Sequence, residues 1–303
     1  MDKKKQGIAL FITLMVIASI MSIVAVSFSY LEKAQKDAGI TSTLIQGDLL
    51  YNNTVAKLKQ FFPAGKVNSE RLAQLYNNVI PINEDKSGFS LTISCKPLMV
   101  AAPISWLEQS TSSNVSEKNK LTKKILNFIM EEYDVQEANK LEESIMEAIT
   151  GKHLNQEEFI PRIKKEKGIF SYKQFKNILN NHILMNDDPK VLTIPWDRYF
   201  TFTNIDKNTT IDGRYISAEF LSAAFDVPLE VVQDNWDSQT STLSSFLKDN
   251  GISEPINNKI YSKEALNAMH CKQTYIYKER QYGFNFDYVE GRSYNFEFNR
   301  QKH

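Results

Sequence analysis

Residues Ile8 to Phe28 form a run of twenty-one residues without a charge, and no other stretch restricts the fold of this chain so tightly. As a helix rising ~1.5 Å per residue the run is about 31 Å long, enough to cross a hydrocarbon core ~30 Å thick. Beyond it, Leu31-Glu-Lys-Ala-Gln-Lys-Asp-Ala38 is charged but helix-forming, and Gly39 is the first plausible stop. One long helix is therefore predicted, its first half suited to lipid. A cleaved secretory signal has a shorter apolar region of ~7 to 15 residues and a small-residue exit site. Neither is present here. Lys3, Lys4 and Lys5 precede the run, and positive flanks stay cytoplasmic, so residues 31–303 are expected outside a single-pass membrane.

The 275 residues after Phe28 exceed what one domain of ~100 to 150 residues needs, which predicts a divided architecture. Lys and Arg number 36, Asp and Glu 36, with signs interspersed. That balance leaves no basic field to hold nucleic acid or an anionic membrane surface.

Periodicity divides the chain further. Residues 43–62 carry Leu44, Leu49, Leu50, Val55 and Leu58 at helical spacing, and Pro63-Ala-Gly65 closes the helix. Residues 87–96 alternate as a strand, with Phe89, Leu91, Ile93 and Cys95 on one face. From Glu117 to about Asn181 the pattern is helical: Leu121, Ile125, Phe128 and Ile129, then Leu141, Ile145 and Ile149 closed by Gly151. Phe159 and Ile163 mark a third helix, and Tyr172, Phe175, Ile178 and Leu179 a fourth behind a Ser171 cap. Short strands are predicted at 191–194 and 199–203, and two short helices at 217–225 and 228–235. Aromatic-polar alternation then predicts strands at 274–278, 283–289 and 293–299, joined by turns at Gln281-Tyr-Gly283 and Glu290-Gly-Arg292. The fold class is α+β, with an antiparallel meander at the end.

No catalytic constellation appears. His153, His182, His270 and His303 are scattered without a partner at metal or general-base spacing, and isolated carboxylates such as Glu108 and Asp197 carry no pattern. No nucleophile elbow, phosphate loop or His-Glu-x-x-His is found, so the chain reads as a non-enzyme without a cofactor. A calcium ion would draw its hard oxygen ligands from Asp206, Asn208 and Asp212, with Asp187 and Asp188. The competing reading is a polar Asx turn around Asp212-Gly213.

The leader Met1-Asp-Lys-Lys-Lys-Gln-Gly7, running straight into an apolar helix, resembles the class III signal of type IV pilins and type II secretion pseudopilins. That resemblance implies cleavage after Gly7 by a membrane prepilin peptidase and methylation of the new terminus, Ile8. Pilins mostly carry a glutamate five residues after the cut, where this chain has Ile12. A carboxylate at a helix centre costs roughly 2.5 to 3.5 kcal/mol on insertion scales, so it persists where a neighbouring subunit neutralises it. Its absence is similar to the K-type minor pseudopilin, a tip subunit. The leader of that type reads Arg-Gly, an apolar residue, Ala and Leu; Gln6-Gly7-Ile8-Ala9-Leu10 departs only at the Arg.

The body resembles the same type in layout. Phe170-Ser-Tyr-Lys-Gln-Phe-Lys-Asn-Ile-Leu179, Tyr199-Phe-Thr-Phe-Thr-Asn204 and Ser217-Ala-Glu-Phe-Leu-Ser-Ala-Ala-Phe225 occupy the places of its inserted-module segments. Its Asn-x-Asn-Thr signature is replaced by Thr203-Asn-Ile-Asp206. The implied architecture is a type IV pilin-like N-terminal helix and antiparallel sheet, interrupted by an inserted mainly α domain. Its parts are a leader at 1–7, a helix at 8–62 (transmembrane at 8–28), pilin-like sheet at 63–112 and 256–303, and the insert at 113–255. In such a sheet Cys95 and Cys271 come together, either as a disulfide in an oxidising compartment or as two buried thiols.

The resemblance implies a structural subunit of a type II secretion pseudopilus in the bacterial inner membrane, with its C-terminal domain periplasmic. Its implied partners are other minor pseudopilins, the prepilin peptidase and the inner-membrane secretion platform. Two other readings stand beside it: an uncleaved, signal-anchored periplasmic binding or scaffold protein, and a minor pilin of a type IV pilus or DNA-uptake system.

Overall fold

A computed structural model describes residues 21, 26–27, 29–30, 33, 41–65, 67–84, 89–108, 116–151, 167–203, 209–238, 240–253, 255–277 and 280–300. Gly7, Ile8, Ile12 and most of the apolar run lie outside these residues. Among those described, no helix is long and apolar enough to cross a membrane. The chain divides into two units, Met1–Thr54 and Val55–His303. In the first, residues 41–54 are helical, and Asn52 Nδ2 donates to Asp48 Oδ2 one turn back at 3.1 Å.

The second unit opens with helical residues 55–61. Pro63 follows, and Gly65 takes φ 70°, a left-handed conformation that suits glycine after a helix. Helix α1 (Ser69–Asn77) starts at Asn68, whose side chain accepts the Arg71 N–H. Strands β1 (Ile80–Glu84) and β2 (Phe89–Pro97) follow. Next come β3 (Ala102–Pro103), a 3-10 turn at Ile104–Leu107, α2 (Glu117–Glu132), α3 (Ala138–Thr150) and α4 (Tyr172–Asn186). After a 3-10 turn at Pro189–Leu192 stand α5 (Trp196–Tyr199), β4 (Phe200–Thr201), α6 (Ala218–Phe225), α7 (Leu229–Asn235) and α8 (Leu243–Asp249). The chain closes with β5 (Ala268–Tyr277), β6 (Arg280–Val289) and β7 (Arg292–Arg300).

Five strands make one antiparallel sheet in the order β1-β2-β5-β6-β7. Since β2 and β5 are neighbours, residues 98–267 leave the sheet and return to it as an insertion between adjacent strands. This is an α+β arrangement of helices and an antiparallel sheet with an inserted helical module. One sheet face is built by period-2 alternation: Leu91 and Cys95, then Met269, Cys271 and Tyr275, then Phe284, Phe286 and Tyr288, all buried and in register across the three strands.

The module has its own core. Leu141, Ile145 and Ile149 fall on one face of α3 and are buried with Ile125 and Ile129 of α2 and Phe175 and Leu179 of α4. Trp196, fully buried, stands edge-on to Phe175 at 5.1 Å and donates its indole N–H to the Val191 carbonyl at 2.7 Å. Ser116 caps α2, and Ser171 with Gln174 forms a capping box on α4. Ala101, Ala102, Ile104, Trp106 and Leu107 belong to this same core.

Several sequence expectations change. Residues 191–194 are not a strand: Pro189 opens a 3-10 turn whose Lys190 N–H is accepted by Asp188. The strand expected at 199–203 shrinks to Phe200–Thr201, because Trp196–Tyr199 is helical. Gln281-Tyr-Gly283 is not a turn but lies inside β6, paired with Ile276, Tyr275 and Thr274. There Gly283 serves a close approach: a Cβ at this position would sit 3.0 Å from the Gln273 carbonyl oxygen. The helix expected around Phe159 and Ile163 lies outside the described residues. Helices α1 and α8 and strand β1 are additions the periodicity did not announce.

Candidate functional site

Helical residues 55–61 meet the sheet at a compact polar joint. The carbonyls at a helix C-terminus have no partner within the helix, so something else must satisfy them. Here the Phe62 carbonyl accepts from Asn267 Nδ2 at 3.0 Å and from the Tyr288 hydroxyl at 2.8 Å, and the Pro63 carbonyl accepts from Asn267 Nδ2 at 3.2 Å. The Gly65 N–H donates to Glu290 Oε2 at 2.8 Å, while the Glu290 N–H donates to the Asn267 carbonyl at 2.9 Å. Asn267 and Tyr288 are both buried. Burial, helped by the Glu290 charge, pushes the Tyr288 hydroxyl up to about 12. The helix end is thereby pinned to the β5 and β6 end of the sheet.

Cys95 of β2 and Cys271 of β5 stand directly opposite in the ladder and are joined, with S–S 2.02 Å and Cα–Cα 4.1 Å. Both are fully buried. The bridge crosses the two strands that flank the insertion, so it closes the module's base.

Polar side chains reinforce that base. Asp212 is buried and accepts the Leu266 N–H at Oδ2 (2.8 Å) and the Arg214 and Tyr215 N–H groups at Oδ1 (2.9 and 3.2 Å). Its own N–H donates to the Met99 carbonyl at 2.9 Å, which ties the outgoing chain at 99 to the incoming chain at 266. Burial raises its carboxyl to about 6, against the three N–H donors and the Arg214 charge, which lower it. Tyr76 of α1 packs edge-on against Tyr215 at 5.1 Å, and its hydroxyl is raised by burial and then by the Asp212 charge. Thr201 Oγ1 adds bonds to the Leu98 and Ala101 carbonyls at 3.2 and 3.1 Å.

A second tie joins module and sheet through Asp287 of β6, which is 3% exposed. Its Oδ1 pairs with His270 Nδ1 at 2.7 Å; its Oδ2 accepts from Thr203 Oγ1 at 3.1 Å and Asn295 Nδ2 at 2.6 Å. Asn295 takes φ 53° at a β-bulge, where the β6–β7 register shifts between Asn285 and Asp287. The Thr203 hydroxyl thus spends its proton on the carboxylate, which makes the group a brace. His182 is buried with its Nε2 3.0 Å from the Gln136 carbonyl and its Nδ1 3.0 Å from Asn186 Nδ2. His153 and His303 lie outside the described residues.

The calcium candidates are not drawn together among the described residues, where no group of three His, Cys, Asp or Glu is placed to hold a metal. Asp212 is engaged as above in an Asx turn. Asp188 accepts the Gln136 and Lys190 N–H groups, and Asp187 is the left-handed residue that ends α4. Asp206 and Asn208 lie outside the described residues. Sequence reasoning found the two cysteines but missed Asn267, Tyr288 and Asp287. Asn267 sits in a loop with no periodic signal, and the other two read only as ordinary members of an alternating strand.

No protein-family model and no curated protein sequence matches this chain. Among solved structures, a chain of the GspK-GspI-GspJ complex from the type 2 secretion system of enterotoxigenic Escherichia coli is similar with a TM-score of 0.50. The likeness covers 86% of this chain and 99% of that one, at 9% identity. What the two share is the fold along that length.

Proposed function

We propose that this chain is a structural subunit at the tip of a type II secretion pseudopilus, where it helps to initiate or cap the filament for protein secretion. The observation that carries the reading is the fold shared with a chain of the GspK-GspI-GspJ complex along 99% of that chain. The apolar run Ile8 to Phe28 supplies a membrane helix that would pack against sister helices through Ala9, Ala18, Ser19, Ser22 and Ala25 once in a filament. Ile12 removes the carboxylate that a following subunit would neutralise, which fits a subunit with no neighbour above it. Leu184 and Met185, 85% and 83% exposed at the end of α4, fit a module that is partly covered in an assembly.

In this role Gly7 sets the cleavage site, Ile8 becomes the methylated terminus, and the second unit lies in the periplasm. Other minor pseudopilins, the prepilin peptidase and the inner-membrane platform are its partners, and no catalysis is required of it. Coexpression with a prepilin peptidase followed by N-terminal sequencing tests the reading. N-methyl-Ile8 is the expected terminus, and Gly7→Ala should leave the chain unprocessed. An intact Met1 in the presence of an active peptidase would overturn the proposal in favour of an uncleaved anchor.

A further inference from the structure

Asn250-Gly251, which closes α8, is the one Asn-Gly pair in the chain. A glycine after asparagine leaves the following amide nitrogen unshielded, so that nitrogen can attack the asparagine side chain. The bond from Gly251 N to Asn250 Cγ forms, the bond from Cγ to Nδ2 breaks, and the Gly251 amide proton departs with the side-chain nitrogen as ammonia. Water then opens the five-membered imide. Addition at Cγ yields aspartate; addition at the main-chain carbonyl carbon yields isoaspartate, which routes the backbone through the side chain.

The fold withholds this reaction while α8 is closed. The Gly251 N–H donates to the Lys248 carbonyl at 3.0 Å and the Ile252 N–H to the Leu247 carbonyl at 2.8 Å, a Schellman pair with Gly251 at φ 76°. The attacking nitrogen is thereby engaged, and Asn250 is fixed at φ −94° and ψ 13°, which turns its Cα–Cβ bond away from that nitrogen. Its target is held as well, since Asn250 Nδ2 donates to the Phe246 carbonyl at 2.8 Å. The lock is local: Asn250 is half-buried, Gly251 is exposed, and α8 is seven residues long. Asp212-Gly213, the one Asp-Gly pair, is by contrast buried in the module's base, with the Gly213 N–H on Ser262 Oγ at 3.0 Å and three other N–H groups on the carboxylate.

Conversion changes α8. A carboxylate at position 250 has no hydrogen to donate, so the Phe246 carbonyl loses its side-chain partner. A negative charge also arrives at the helix end whose carbonyls repel it. The isoaspartyl form adds a carbon to the backbone inside the Schellman pair. What loosens is a helix that gives Leu243, Phe246 and Leu247 to the module core, with Phe246 edge-on to Trp236 at 5.5 Å.

We propose that Asn250-Gly251 is a spontaneous modification site acting as a one-way switch on α8: unreactive while the helix is closed, convertible when it opens, and unable to restore the closed end once converted. The switch rests on these residues alone and is independent of the filament reading.

The test incubates the full chain in neutral detergent and mildly alkaline buffer and follows the tryptic peptide 249–259. Its readouts are the mass gain from amide to acid and labelling by an isoaspartate-specific methyltransferase. Conversion is expected at Asn250 ahead of Asn257 and Asn258 in the same peptide, slower by about tenfold or more in the folded chain than in urea. Thr242→Ala, which removes the N-cap of α8, should speed it about fivefold in the folded chain and leave the rate in urea unchanged. In hydrogen exchange, Asn250→Asp should speed the α8 amides by about fivefold while β5 and β6 keep the parent's rates. Equal conversion in the folded chain and in urea, or a Thr242→Ala chain that converts like the parent, would overturn the proposal. So would earlier conversion at Asn257 or Asn258, or parent-like exchange of α8 in Asn250→Asp.

Discussion

At the residue scale, three side-chain groups determine how firmly the second unit is held. Asn267 satisfies two helix-end carbonyls at once, and its loss takes the side-chain donor from the Pro63 carbonyl and leaves the Phe62 carbonyl with Tyr288 alone. Asn267→Ala should therefore destabilise by about 1 to 3 kcal/mol in a denaturant titration, with Tyr288→Phe costing less because the Phe62 carbonyl keeps Asn267. Replacing both Cys95 and Cys271 by Ala should cost about 2 to 5 kcal/mol. In mass spectrometry without reductant, the parent should show no alkylatable thiol; two free thiols in protein from an oxidising compartment would contradict the bridge. Asp212 carries the pH dependence. Its folded carboxyl is raised from 3.8 to about 6, so the folded state binds a proton that the unfolded chain releases between those values. Its contribution to stability is complete below 3.8 and is lost as pH rises through 6. Asp212→Asn should flatten the dependence of Tm on pH across that window; parallel profiles for parent and variant would assign the effect elsewhere. The cysteines are legible in the sequence as neighbours because Cys95 ends an alternating strand and Cys271 lies just before the closing meander, but whether they join is not. Asp212 is legible in the sequence as a calcium ligand or a turn residue but not as the brace of the module's base, since nothing in a sequence announces that Leu266 will supply the third N–H.

At the scale of elements, legibility follows how local the determining physics is. The aromatic alternation of β6 and the 3.6-residue spacing of α3 are set by burial of one face, so both were readable. Strand β1 was not: Pro81 interrupts it, Ile80 is 40% exposed, and only pairing with β2 makes it a strand. Gly283 reads as a turn residue because glycine in a sequence does not reveal whether it serves a reversal or a close approach across strands. Helix α8 spans seven residues, too few for a periodic signal, though the Thr242 and Ser245 capping box marks its start. The adjacency of β2 and β5 makes a prediction at this scale. Replacing residues 98–268 by a tight Asn-Gly turn, which keeps Pro97 opposite Met269, should leave an antiparallel pair that still forms the Cys95–Cys271 bond. A β-rich circular dichroism spectrum and a single oxidised mass are the expected outcome, and failure to oxidise would show that the sheet needs its module.

At the scale of the whole molecule, the bond between Cys95 and Cys271 changes what a pull along the chain encounters. Between the helix end at Phe62 and the last strand, the covalent path runs to Cys95, across the sulfurs, and on from Cys271, so residues 96–270 hang outside the load-bearing line. Those 175 residues would release on the order of 600 Å of contour if they unfolded in series, at ~3.3 to 3.6 Å per residue. With the bond intact none of that length is available, and the module can open and close without the tether growing. Optical-trap extension from residue 62 to residue 300 should gain that contour only in the presence of reductant. A chain built this way passes tension from Phe62 to the sheet as a short, nearly inextensible link, while its inserted module rides slack beside it.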